Sequence, residues 1–205
     1  MFNATKCKVL HIGGSNKHFV YSMLDCQLLE TDEERDLGIV ISKDLKSASQ
    51  CQVSYARASR MLGMIRRNIE YKNKSILVKL YKLLVRPLLE YCTQAWSPYY
   101  CKDKLLLERV QHRFTRMIPG FKSMTYEDRL NDLKLWTLEE RRNRADLLEV
   151  FNIYKEKSLI KFTDMFEVSH NKNTRGHHKK LMKHRCRTSL RRYFFLKESL
   201  KDGTN

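Results

Sequence analysis

From Asp44 onward the chain carries a helical period. Leu45, Ala48, Cys51, Tyr55, Ala58, Leu62 and Ile65 recur at spacings of three and four up to Asn68. A stripe with that spacing lies along one face of an α-helix and alternates on no strand. With 7 glycines and 3 prolines in 205 residues, little interrupts such elements. Asn73 can cap a second, strongly apolar helix through Ile76, Leu77, Leu80, Tyr81, Leu83 and Leu84, which Pro87 should end or kink because it lacks an amide donor. A third is predicted from about Asp103 to Met117, with Leu106, Val110, Phe114 and Met117 or Ile118 inward and Pro119-Gly120 as its stop. Thr125-x-x-Asp128 opens a short helix to about Leu133. The capping box Thr137-Leu138-Glu139-Glu140 opens another to about Lys157, with Leu138, Leu148, Phe151 and Tyr154 on one face.

The first forty residues read as strands. Lys6 to Ile12 is β-prone, Gly13-Gly14-Ser15-Asn16 is a turn signal, and His18 to Met23 can return as the antiparallel partner. An acidic turn from Glu30 to Asp36 leads into the β-branched run Leu37 to Ile41. The expected class is therefore α+β, mostly α: a small N-terminal antiparallel hairpin or sheet followed by a helical bundle. The boundaries are 1–42 for the β-rich part, 43–160 for the helical part and 161–205 for a basic, partly disordered extension.

No apolar run approaches the roughly 18 residues of a spanning helix. Met1 to Leu10 lacks the apolar core of a signal peptide, so an intracellular, non-secreted protein is expected. The six cysteines at 7, 26, 51, 92, 101 and 186 form no C-x-x-C pair and read as buried or half-buried free thiols.

Charge says most about partners. There are 40 basic and 23 acidic residues, a net of +17. By block the net is −1 over 1–50, +7 over 51–100, +2 over 101–150 and +9 over 151–205. Such a field attracts polyanions, nucleic acid foremost. Between Cys51 and Ser75 the only acid is Glu70, set against Arg57, Arg60, Arg66, Arg67, Lys72 and Lys74. A solvated helix face with paired charges is the plain alternative, and the scarcity of acids weakens it. Arginine forks suit phosphate because they bind it bidentately. The Arg141-Arg142-x-Arg144 run is different, since Glu139, Glu140, Asp146 and Glu149 can pair with it inside one helix. Lys179 to Arg187 is a solvated basic run.

Catalytic and metal signatures are missing from the sequence. There is no G-x-S-x-G, no H-E-x-x-H and no phosphate-loop Gly-Lys-Ser/Thr. His170, His177, His178, His184 and Cys186 lack the spacing of a zinc knuckle.

The order of segments nevertheless resembles a known family. It is carried by Phe2-Asn3-x-x-Lys6-Cys7-Lys8-Val9-Leu10-His11-Ile12-Gly13 and Asp36-Leu37-Gly38-Ile39. The most specific block is Leu80-Tyr81-Lys82-x-Leu84-Val85-Arg86-Pro87-Leu88-Leu89-Glu90-Tyr91-Cys92-x-x-x-Trp96-Ser97-Pro98. Leu107-Glu108-x-Val110-Gln111, Tyr126-Glu127-x-Arg129-Leu130 and Leu138-Glu139-x-Arg141-Arg142 follow in order. Over Phe2 to Leu196 the chain resembles the downstream part of reverse transcriptases of non-LTR, LINE-like retrotransposons of the jockey kind.

The resemblance implies an RNA-directed DNA polymerase in which paired palm aspartates, in a Tyr/Phe-x-Asp-Asp turn, hold two magnesium ions. That turn is missing from this sequence, so the chain is expected to hold no metal and to be inactive alone, as a truncated piece. Lys6, or alternatively Lys8, would lie near the incoming nucleotide's phosphates. Leu37 and Gly38 would belong to the primer-grip hairpin, and the helices from Asp44 onward to a thumb-like domain closing on the template–primer through Arg57, Arg60, Arg66 and Arg67. The implied partners are an RNA/DNA template–primer and the upstream polymerase domain, with no membrane and no small-molecule substrate of its own. The other reading is a co-opted helical module that binds an acidic protein.

Overall fold

The computed structural model describes residues 3–168, 181, 182 and 185, and in it the N-terminal strands pair differently from expectation. A 3-10 turn at Ala4–Lys6 leads into β1 (Lys8–Leu10), and β2 (Ser22–Met23), β3 (Cys26–Gln27), β4 (Leu29–Thr31), β5 (Glu33–Asp36) and β6 (Ile39–Ser42) follow. Strand β1 pairs in parallel with β4, Val9 opposite Glu30. The pairs β2–β3 and β5–β6 are antiparallel.

The Gly13–Asn16 turn forms, with the Asn16 amide donating to the Gly13 carbonyl at 3.3 Å, but it does not join a hairpin. The Gly13 amide instead donates to Lys43 O at 3.1 Å, which leads the chain away from a ladder with β1. The expected acidic turn at 30–36 is also corrected. Its residues form β4 and β5, because pairing with the β-branched β6 outweighs the weak strand preference of Glu and Asp. The reversal lies directly after them, at Leu37 (φ 45°) and Gly38 (φ 88°). Left-handed backbone at both central positions is the hairpin turn whose twist matches the flanking strands.

Helix α1 spans Ala48–Asn68. It starts later than Asp44 because the Asp44 carboxylate accepts from the Lys46 amide (3.0 Å) and the Ser42 hydroxyl (2.8 Å), a local turn that competes with helix. Asn73 caps α2 (Lys74–Leu80), its side-chain oxygen accepting from the Ser75 amide at 2.8 Å. Pro87 does not end this helical stretch. A π-helical turn at Tyr81–Val85 joins α2 to α3 (Arg86–Glu90), and the Arg86 amide reaches back to Tyr81 O. The widened turn makes room for a ring that can supply no amide.

The remaining helices are α4 (Thr93–Trp96), α5 (Cys101–Met117), α6 (Tyr126–Leu133), α7 (Leu138–Tyr154) and α8 (Phe162–Met165). The described residues are thus α+β and mostly helical, with sheets of two strands each. No helix among them is long and apolar enough to cross a membrane.

Two compact units are distinguished. One holds the chain up to Cys92 together with Pro98–Leu135, the other Thr93–Ser97 and the chain from Trp136 onward. In the first, α1 packs on α5, α3 and β6. Ala58, Leu62, Tyr81, Val110 and Phe114 are buried there, and Tyr81 stacks on Phe114 with ring centroids 4.2 Å apart. Leu107 takes the buried place expected of Leu106. A polar network crosses this core: Tyr81 Oη donates to Gln111 Oε1 at 2.7 Å, Gln111 Nε2 to Tyr126 Oη at 3.0 Å, and Tyr126 Oη to the Glu108 carboxylate. Burial pushes the Tyr126 phenol far up, and the Glu108 charge adds to the shift, so Tyr126 stays a donor.

In the second unit the Thr137 hydroxyl accepts from the Glu140 amide at 3.1 Å, as the capping box predicts. The buried face of α7 matches the expected one only at Leu138. Leu138, Arg142, Asp146 and Ile153 are buried, whereas Leu148 and Phe151 are half or more exposed. An inward Arg142 and Asp146 hide this face from an apolar pattern. The thiols differ from expectation too: Cys51 is buried, but Cys26, Cys92 and Cys101 are exposed. The tail histidines, Cys186 and most of the basic extension lie outside the described residues.

Candidate nucleic-acid interface

The four arginines of α1 do not share one surface. Successive helical residues turn by about 100°, so Arg57, Arg60 and Arg67 fall within an arc of about 80°, with Arg66 about 100° beyond it. Arg60, Arg66 and Arg67 are exposed and Arg57 half-buried. Among the described residues, no carboxylate lies within ion-pair distance of any of the four.

Arg66 lines a groove of about 400 Å³ formed with α5 and the segments that follow each helix. The other cations there are Lys72, Arg113, Arg116 and Lys122, and the remaining lining residues are Ser59, Leu62, Gly63 and Met117. Among the described residues, five cations line the groove and no acid does. Arg113 is held in place, its Nη2 donating to Ser59 Oγ at 2.5 Å and its guanidinium 5.3 Å from the centre of the Tyr55 ring. Gly63 leaves the space open, since nothing stands within 4 Å of where its Cβ would be.

The positive potential reaches neighbouring groups. Burial holds the Arg129 guanidinium below its ordinary range, and the Arg116 charge lowers it further. His112, stacked on Tyr126 with centroids 3.5 Å apart, is likewise lowered by burial and then by Arg129 and Arg116. An anion in the groove would relieve that repulsion. Several guanidinium and ammonium donors around an acid-free concavity can bind successive phosphate oxygens; they supply no nucleophile or general base.

Sequence reasoning missed Lys72, Arg113, Arg116 and Lys122 as site residues. The signal was the same scarcity of acids used for α1, because no Asp or Glu falls between Glu108 and Glu127. Acids elsewhere in that block of fifty brought its net charge down to +2 and masked it.

The N-terminal candidates belong to the strand-rich region, apart from the groove residues in the sequence. Lys8 Nζ lies 3.2 Å from Glu34 Oε2, so its charge is paired beside the β5–β6 hairpin. Lys6 is exposed, in the 3-10 turn. Leu37 and Gly38 form the hairpin tip. Tyr91 Oη donates to Leu37 O at 3.1 Å, and the Tyr91 ring lies 3.7 Å from where a Gly38 Cβ would stand. Leu37 is 83% exposed despite its left-handed backbone. In α7 the expected internal pairing is present, with Arg144 Nε 2.8 Å from Glu140 Oε1 and its guanidinium stacked 3.5 Å over Trp136.

Fold and groove together define a mostly helical α+β chain with a concave polybasic surface. No protein-family model, curated protein or solved structure matches it.

Proposed function

We propose that the chain is a nucleic-acid-gripping, thumb-like part of a reverse transcriptase of the non-LTR retrotransposon kind, which binds template–primer and performs no polymerisation by itself. The observation that carries the reading is the α1–α5 groove, with five cations and no acid in its lining among the described residues. A solvated basic surface has no reason to gather like charges around a cleft, where they repel; a polyphosphate backbone supplies the missing countercharge. The exposed Leu37-Gly38 tip, buttressed by Tyr91, supports the primer-grip assignment. The intact enzyme would take its two metal ions from the aspartate turn, outside this sequence, so the role of this chain is to hold the duplex.

The test is binding of labelled RNA–DNA hybrids of unrelated sequence. Phosphate contacts carry no base information, so replacing Arg66, Arg113 and Arg116 together by Gln should weaken all hybrids to a similar degree. A loss confined to one sequence, or no loss at all, would contradict the reading.

A further inference from the structure

A cluster unconnected with the groove lies in the N-terminal region. His11 directly follows β1, Glu30 is the central residue of β4, and the parallel ladder between these strands brings the two together. His18 joins them from the loop between. That loop is pinned: the Gly13 amide donates to Lys43 O, and the His18 amide donates to Asn16 Oδ1 at 3.0 Å with His18 at φ 50°. One ligand atom from each of His11, His18 and Glu30 lies within 4.8 Å of the others.

Two observations point beyond a chance cluster. His11 is only 8% exposed as a residue, and its ring has no hydrogen-bond partner among the described residues. It faces the His18 ring, with centroids 4.6 Å apart, and the Tyr21 ring at 6.1 Å. His18 Nδ1 and Glu30 Oε1 are already 2.8 Å apart, so these two side chains are gathered before any ion binds.

We infer that His11, His18 and Glu30 form a binding site for a divalent transition-metal ion, Zn²⁺ foremost. Two imidazole nitrogens and one carboxylate oxygen suit a borderline ion; Mg²⁺ and Ca²⁺ favour all-oxygen shells. Ligand atoms on one tetrahedral zinc sit about 3.4 Å apart, given bonds of about 2.1 Å. The cluster therefore needs shifts of roughly an ångström, which the exposed His18 and Glu30 side chains can make. Three protein ligands leave a fourth position for water. The bound ion would tie the 12–18 loop to the β1–β4 ladder, independently of nucleic-acid binding.

The experiment is Zn²⁺ titration of the full chain against a chromogenic chelator, with Co²⁺ absorption as a second readout. His18→Gln and Glu30→Gln change exposed side chains, so the fold is not at stake, and circular dichroism checks it. His177, His178 and His184 replaced by Ala control for the tail. The expected result is one tight site whose Zn²⁺ affinity falls by about 100-fold or more in either single variant, since even outer-shell changes cost 10–100-fold. The tail variant should leave the affinity unchanged, and the Co²⁺ ligand-field bands should vanish in His18→Gln. Wild-type affinity in both single variants, or loss of the tight site in the tail variant, would overturn the assignment. So would equal competition by Mg²⁺.

Discussion

Gly63 occupies the interior of a 21-residue helix, where glycine is less favourable than alanine by about 1 kcal/mol. Packing does not demand it, because the site of its Cβ is open. The glycine is then explained by the groove it leaves clear. Gly63→Ala should raise stability by about 0.5–1 kcal/mol, whereas Gly63→Leu should weaken hybrid binding without lowering the melting temperature. Thermal unfolding and fluorescence anisotropy read the two effects separately. Asp44 illustrates a charge that serves folding. The Lys46 ammonium and amide, with the Ser42 hydroxyl, hold its carboxyl down to about 2 from an ordinary 3.8. A lowered folded value contributes stability above pH 3.8 that is lost as pH falls through about 2. The side chain is 46% exposed, so screening limits the net effect to about 0.5 kcal/mol. Asp44→Asn should be less stable than wild type by that amount near neutrality and indistinguishable from it near pH 2, in melts across the pH range.

At the scale of elements, the β5–β6 hairpin holds its tightest turn with a leucine. A non-glycine residue in the left-handed region loses about 1–2 kcal/mol, and asparagine tolerates that region better. Leu37→Asn should therefore raise stability by about 1 kcal/mol, roughly 3 °C for a chain of this size. If the exposed leucine serves the primer grip, the same substitution should weaken binding of a primed template while unprimed single strands bind as before. The helices were largely legible in the sequence because period, caps and stops agreed: Asn73, Thr125, Thr137 and Pro119-Gly120 all mark the ends they should. Pro87 was legible as a disturbance, but the π-turn that absorbs it depends on the packing of Tyr81 and Val85. Strand pairing was the illegible part. Short strands are placed by long-range partners such as the Lys43 carbonyl, and nothing near Gly13 announces that acceptor.

Across the whole molecule, net charge suggested a polyanion partner, and of the four α1 arginines the structure places only Arg66 in the groove. Local runs of arginine drew attention to α1, yet helical rotation sends Arg66 to one flank and Arg57, Arg60 and Arg67 to another. The groove arises only when α5 brings Arg113 and Arg116 alongside, a tertiary juxtaposition no window of sequence contains. In α7, Arg144 shows the converse, an arginine whose ion pair lies within its own helix. The central claim is that the five groove cations grip phosphates. Each phosphate neutralised steepens the dependence of log affinity on log salt by about 0.9 for B-form DNA. The decisive measurement is that slope for an RNA–DNA hybrid, in wild type and in the Arg66→Gln, Arg113→Gln, Arg116→Gln triple variant. The variant slope should be shallower by about 2 to 3. Equal slopes in the two proteins would contradict it.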